Sequence, residues 1–322
     1  MRKVALIGAG AMGCVLGAHL AKGGADVTLV DPYKEHMDKI AKDGLILNSA
    51  DNRETVKMKT AYTADDIGVM DYVVLLTKTT YSDAGLQGAK NAIGENTYIG
   101  TFQNGLGNPE KIAEYYPKER IFYGCLNLTS RIIAPGEILG NCFADPAIYT
   151  GSVVRGEEQR KVGEAFAEAL TKGGASCKYT DEIDTYVWQK ALLNIMGNAT
   201  SGIVRLRGGD ILSADEYQRL SFMIVEEVCT VAKAKGVQNV TVEKFFEALP
   251  AMTAGLSHHW ASMAQDILFA KRQTEIKTLN GAIVTFGREL GIPTPVNDTL
   301  YCIVRVIEEH YDQQYQESKD EK

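Results

Sequence analysis

The chain has 322 residues, enough for two domains rather than one small core. With 45% hydrophobic and 23% charged residues it has a globular composition, which excludes a disordered or fibrous chain. Lys and Arg number 34 against 41 Asp and Glu, a net charge of −7, so there is no general basic surface for nucleic acid or anionic lipid, and placed cations must capture any anionic ligand.

In chain order, Lys3 to Ile7 reads as a short buried strand and Ala11 to Lys22 as a helix. Between them Gly8-Ala9-Gly10-Ala11-Met12-Gly13 fits G-x-G-x-x-G. In that motif Gly8 permits the tight turn, Gly10 lets backbone approach a pyrophosphate, and Gly13 lets the helix pack close to the strand. The N–H groups at the helix start, around Ala11 and Met12, then meet the phosphate charge. A second β-rich run, Asp26 to Asp31, comes after the Lys22-Gly23-Gly24 break. The basic start and the uncharged run from Val4 to Leu20 superficially fit a secretory signal, but glycines at 8, 10, 13 and 17 are costly there. Asp31 suits the ribose hydroxyls of NAD(H) and would repel the 2′-phosphate of NADP(H); a cap on the next helix, with Pro32 in its first turn, fits the same residue. Lys34 stands close by.

Gly44 to Ala61 suggests a hairpin-like excursion. Asp71 to Thr77 and Thr97 to Phe102 are strands, and Arg120 to Thr129 with segments around Glu137 and Ile148 are expected to extend the sheet. Next come an amphipathic helix over Glu157 to Lys172 and a closing strand over Ala175 to Tyr179. After about Thr180 the pattern turns helical: Ile183 to Gly202, Ala214 to Lys235, Val242 to Ala254, Ala261 to Leu290, and Val296 to an acidic tail expected to fray after Gln313. The expected architecture is α/β, with an N-terminal Rossmann-type dinucleotide-binding domain over 1–180 and a C-terminal all-helical substrate domain over 181–322.

No run is long and apolar enough for a membrane span. The 6 cysteines form no C-x-x-C pair and read as reduced core residues of a cytoplasmic protein. The 5 histidines form no H-E-x-x-H, and the adjacent His258 and His259 would diverge on a helix, so no metal site is expected.

In an open parallel sheet, ligands bind beyond the carboxyl ends of the strands. Lys78 and Asn104 arrive there, although a solvated loop lysine and a turn residue before Gly105 are the plain alternatives. Lys190, Asn194 and Asn198 fall on one drifting stripe of a helix. Asparagine is a poor helix former, and buried amides need partners, either substrate or other helices. Glu275 fits a surface carboxylate paired with Lys271.

Taken in order, the glycine loop, Lys78, Gln103-Asn104-Gly105, Lys190-x-x-x-Asn194-x-x-x-Asn198, Ser262-Met-x-Gln-Asp266, Thr274-Glu275-Ile276 and Asn280-Gly281 resemble the ketopantoate reductase (2-dehydropantoate 2-reductase) family over about residues 3–310. The resemblance implies a Rossmann domain joined to a helical domain with the active site in the cleft between them, and reduction of ketopantoate to pantoate, usually with NADPH, on the route to coenzyme A. It makes Lys190 the general acid and Glu275 a partner of Lys190 or of the substrate hydroxyl. Asn194, Asn198 and Ser262 would bind substrate, while Lys78 and Asn104 would reach cofactor and substrate. The partner is then a small 2-oxo acid, with neither nucleic acid nor membrane involved and a homodimer left open. Four positions depart from the family pattern. The spacing from Ser262 to Glu275 is one residue longer, which would rotate Glu275 by about 100° unless a local bulge absorbs it. His259 and Gly208 stand where the family often has asparagine, and Asp31 replaces a basic residue. A related 2-hydroxy-acid or opine-type dehydrogenase and a non-catalytic nucleotide sensor remain as alternatives.

Overall fold

The computed structural model describes residues 2–50, 52–142, 144–254 and 259–314; His258 and the acidic tail fall outside the described residues. One compact unit comprises the residues up to Gln103 and Gly107–Tyr186, and a second comprises Asn104–Leu106 with the chain from Val187 onward.

The first unit opens with β1 (Lys3–Ile7), α1 (Ala11–Lys22), β2 (Asp26–Val30) and α2 (Lys34–Asp43). β3 (Leu45–Asn48), β4 (Arg53–Val56), β5 (Lys59–Ala61) and β6 (Tyr72–Leu75) come next, then α3 (Ser82–Gly88), β7 (Tyr98–Thr101) and α4 (Asn108–Ala113). It closes with β8 (Ile121–Leu126), β9 (Leu128–Ala134), β10 (Glu137–Cys142), β11 (Ile148–Ser152), α5 (Glu157–Lys172) and β12 (Cys177–Tyr179). The main sheet has 8 strands in the order β12-β11-β8-β7-β6-β1-β2-β5. All its pairings are parallel except β11 with β8. Side chains alternate between two buried cores: Val4, Leu6 and Val74 join one, Ala5, Ile7, Val73 and Leu75 the other. A sheet covered on both faces needs such continuous apolar strands.

β9 and β10 depart from the expected extension of this sheet. They form a hairpin that pairs instead with the β3–β4 hairpin in a separate 4-stranded sheet, β4-β3-β10-β9. Their composition explains the departure. β8 is buried at every position, whereas β9 is mostly exposed beyond Leu128 and β10 alternates, so neither suits a doubly covered sheet. Cysteine burial also differs from expectation: Cys14, Cys125 and Cys229 are buried, but Cys142 and Cys302 are exposed.

The second unit is helical. It is built on α6 (Ile183–Val204), α7 (Gly208–Leu212), α8 (Asp215–Ala234), α9 (Val242–Thr253), α10 (Ser262–Gln265), α11 (Asn280–Leu290) and α12 (Pro295–Glu309). Leu192, Ile195 and Ala199 of α6 pack with Ile224, Val228 and Val231 of α8 and Ile283 of α11 in one core. The single helix expected over 261–290 is broken in three. α10 runs into a π-helical turn at Asp266–Ala270, the chain leaves helical geometry at Lys271, and α11 begins only at Asn280. Among the described residues no helix is long and apolar enough to cross a membrane, and no cluster of three His, Cys, Asp or Glu is placed to hold a metal.

Candidate active site

The cofactor edge is built where β1 has β2 on one side and β6 on the other, the point at which an open sheet reverses its winding. Gly8 leaves β1 with φ +95°, its N–H donating to Val30 O at 2.9 Å. A Cβ there would stand 2.6 Å from Thr77 N, so the position requires glycine twice over, by conformation and by space. At Gly13 a Cβ would stand 2.2 Å from Gly8 O, which is the close approach of helix to strand that the motif needs. Gly10 differs: nothing lies within 4 Å of a Cβ built on it. The loop is therefore closed at both ends and open in the middle, beside the start of α1. The first turn of α1 carries no acidic side chain, and its leading N–H groups, including those of Ala11, Met12 and Gly13, have no intrahelical acceptor. This is a cradle that fits a dinucleotide pyrophosphate.

Asp31 stands at the end of β2, its N–H on Ala61 O at 3.1 Å. Its Oδ1 accepts the Tyr33 N–H at 2.9 Å, a local turn ahead of α2. The N-cap of α2 is Tyr33 and no side chain caps it, so the reading of Asp31 as a helix cap with Pro32 in the first turn does not hold. Lys78 is half-buried after β6 and its carbonyl accepts the Tyr81 N–H at 2.8 Å. Gln103, at the end of β7, holds this edge together. Its Nε2 donates to Thr77 O at 2.8 Å and to Ser82 Oγ at 3.0 Å, and its Oε1 accepts from Thr101 Oγ1 at 3.0 Å. That bracing function was hidden in the sequence, where Gln103 is only the neighbour of Asn104.

Asn104 begins the three-residue segment assigned to the second unit. Next to it Gly105, at φ +90°, lies so close to Thr278 that a Cβ would be 2.4 Å from Thr278 O. The same carbonyl accepts the Leu106 N–H at 2.7 Å. Lys190, Asn194 and Asn198 project from α6, the first two half-buried and Asn198 buried. Asn198 Nδ2 donates to Ser262 Oγ at 3.4 Å, which brings together two of the expected substrate ligands. Glu275 is buried at 7% exposure and lies outside any helix, so its reading as an exposed i,i+4 partner of Lys271 is wrong. Thr278 donates to its carbonyl from both N, at 3.1 Å, and Oγ1, at 3.2 Å.

Residues that hold this group were less legible. Asn280, fully buried, donates to Ile195 O of α6 at 3.3 Å and to Asn297 Oδ1 at 3.0 Å. Asn297 donates in turn to Glu227 Oε2 at 2.7 Å, and the two Glu227 oxygens also accept the Val296 and Asn297 N–H groups at the start of α12. A remote carboxylate thus caps α12 and ties α11 to α8. The Asn280-Gly281 pair was the only sequence signal for this network.

A dinucleotide cradle on a doubly wound sheet, joined in one chain to a helical unit carrying Lys, Asn, Ser and buried Glu, defines an NAD(P)-dependent oxidoreductase. The family model described as Ketopantoate reductase PanE/ApbA matches residues 4–153, and that of its C-terminal part matches 182–308. The chain belongs to the ketopantoate reductase family. It is 30% identical to a 2-dehydropantoate 2-reductase of Lactococcus lactis over 313 residues, 95% of this chain and 98% of the relative. A PanE/ApbA family ketopantoate reductase from Ralstonia eutropha superposes with a TM-score of 0.85 at 26% identity, covering 97% of this chain and 100% of that one. D-mandelate dehydrogenase, solved in a ternary complex with NADH and anilino(oxo)acetate, superposes with a TM-score of 0.86 at 25% identity over the same shares.

Proposed function

We propose that this protein reduces ketopantoate to pantoate with NADH or NADPH, the first unit holding the cofactor and the helical unit supplying the acid and the substrate ligands. The observation that carries this reading is the agreement of both family models, over 4–153 and 182–308, with a chain that keeps Lys190, Asn194, Asn198, Ser262 and Glu275 in order. Gly8, Gly10, Ala11, Met12 and Gly13 would cradle the pyrophosphate, and Asp31 would face the adenosine ribose. The bound nicotinamide supplies the hydride. Lys190 supplies the proton to the ketone oxygen, whose charge grows toward alkoxide as the carbonyl carbon is reduced; a cation at that atom lowers the barrier. Ser262 Oγ, accepting from Asn198, keeps its own proton to donate to substrate. With Asn194 it fixes a carboxylate without adding net charge, while Glu275 orients the substrate hydroxyl or Lys190. Lys78 and Asn104 contribute from the ends of their strands.

A second reading, a 2-oxo acid with an aromatic side chain, is favoured by one local feature and one likeness. Trp260, two residues before Ser262, lies edge-on to Phe269 at 5.5 Å and beneath the Arg207 guanidinium at 5.7 Å. The likeness is to D-mandelate dehydrogenase. Monitoring loss of reduced-nicotinamide absorbance with both cofactors and a panel of 2-oxo acids decides between them. Highest kcat/KM with ketopantoate is expected; activity confined to phenylglyoxylate would replace the first reading with the second.

A further inference from the structure

α10 passes directly into the π-helical turn at Asp266–Ala270, and a π turn takes one residue more per hydrogen-bonded ring than an α turn. The backbone then reverses through Lys271, at φ 46° and ψ 54°. Arg272 closes this turn upon itself. Its N–H donates to Asp266 O at 3.2 Å, its Nε to Asp266 Oδ1 at 2.7 Å, and its Nη2 reaches the same oxygen at 2.6 Å. The Asp266 side chain is 3% exposed and that of Arg272 is 58% exposed. A buried carboxylate held by a guanidinium has one strongly preferred geometry.

Thr274 and Arg272 are anchored from α12 and from the short helical turn at Tyr311–Gln313. Thr274 N–H donates to Glu308 Oε1 at 2.6 Å, and the buried Glu308 carboxylate pairs with Arg305 at 2.6 Å. Tyr311 donates its hydroxyl to Arg272 O at 2.8 Å. Burial, with Glu308 and Asp266 nearby, pushes this phenol up to about 12, so it remains a donor at neutral pH. Glu275 is the very next residue after Thr274 and is fixed on its other side by Thr278. Arg272 is largely exposed and fills no core space. All its described contacts serve the loop that delivers Glu275.

We propose that Arg272, through its pair with Asp266, is a positioning residue that sets the location of the Glu275 carboxylate for the reductase reaction. The proposal rests on the reading of Glu275 as acting on substrate or Lys190. A double-mutant cycle on kcat tests it, using Arg272→Ala, Glu275→Gln and the combined variant, with thermal unfolding as the check on folding. Arg272→Ala is expected to lower kcat about ten- to a hundredfold, the scale of a misplaced catalytic group, with KM for the reduced nicotinamide within about twofold. Arg272→Lys should recover part of the loss. In the Glu275→Gln background, Arg272→Ala should cost nothing further, since the group it positions has already been disabled. An equal loss in both backgrounds would overturn the proposal and make Arg272 merely structural. So would an unchanged kcat in Arg272→Ala while Glu275→Gln is slow. A Glu275→Gln enzyme as fast as the parent would instead remove the reading of Glu275 itself. Should Arg272→Ala fail to fold, Arg272→Lys carries the same cycle with a smaller expected loss.

Discussion

Adding one methyl group at each loop glycine separates roles that the motif groups together. At Gly13 the methyl would be driven to 2.2 Å from Gly8 O, so either the α1 start or the β1 end must move. Gly13→Ala should therefore destabilise the fold by about 1–3 kcal/mol, the usual range for overpacking, seen as a lower thermal midpoint without cofactor. At Gly10 the methyl meets nothing within 4 Å. Gly10→Ala should cost no more than about 1 kcal/mol, the loss expected where alanine replaces glycine at a helix N-cap, yet weaken NAD(P)H binding at least tenfold by occupying the cradle. Fluorescence titration of reduced cofactor against both variants checks this; undiminished affinity in Gly10→Ala would place the pyrophosphate elsewhere. Lys190→Ala addresses the chemistry rather than the cradle. Loss of a general acid should lower kcat about 10²–10⁴-fold while cofactor affinity stays near the parent value. Near-normal turnover would remove Lys190 as the acid.

Secondary elements with local causes were legible in the sequence, and those with remote causes were not. The strand–loop–helix–strand run from Lys3 to Val30, α5 and α8 arise from apolar periodicity and glycine breaks, all set by neighbouring residues. The second sheet depends on β3 meeting β10, about 90 residues apart in the chain, and local alternation cannot report a partner that distant. The same limit hid the break between α10 and α11. Its residues carry helical spacing, but Glu308 takes the Thr274 N–H from 34 residues away and the Asp266–Arg272 pair ends the helix. Of the candidate site, residue identities were legible; the burial of Glu275 and the bracing by Gln103 and Asn280 were not. The π turn is the kind of local bulge that takes up the extra residue between Ser262 and Glu275. Lys271 bears the cost of that turn, since left-handed backbone disfavours an L residue by about 1–2 kcal/mol. Lys271→Gly should thus hold or raise the thermal midpoint despite glycine's entropy, while Lys271→Val, β-branched, should lower it clearly. Equal midpoints for the two variants would mean that the turn relaxes without strain.

On the scale of the whole molecule, the acidic charge suggests that carboxylates govern stability against acid, but two histidines, His36 buried and His19 half-buried, act first. Gly136 N–H donates to His36 Nδ1 at 2.9 Å, so that nitrogen is an acceptor and the ring proton lies on Nε2, 3.3 Å from Cys14 Sγ. Burial pushes the Cys14 thiol up, aided by the Asp31 charge, and the protonated thiol donates to Ala9 O in the glycine loop at 3.2 Å. A second proton on His36 would set two donors against each other. Burial holds His36 below the usual histidine range, against a smaller opposing pull from Asp31, and holds His19 below it too. His19 meanwhile bonds Gly173 O at 2.9 Å where the ends of α1 and α5 meet. Both groups therefore take up protons more readily unfolded than folded. Their contribution is fully present above about pH 6.5 and is lost as pH falls from there toward the lowered folded values, by at most about 1.4 kcal/mol per pH unit for each. Asp43, held down by Lys39, and Asp83, held down by Lys111 and Tyr115, act only below about pH 4 and are screened by salt. The thermal midpoint should accordingly fall between pH 7 and 5 to the same extent in low and high salt, and His36→Gln should flatten part of that fall. A midpoint constant down to pH 5, or a fall abolished by salt, would return the acid sensitivity to the surface carboxylates.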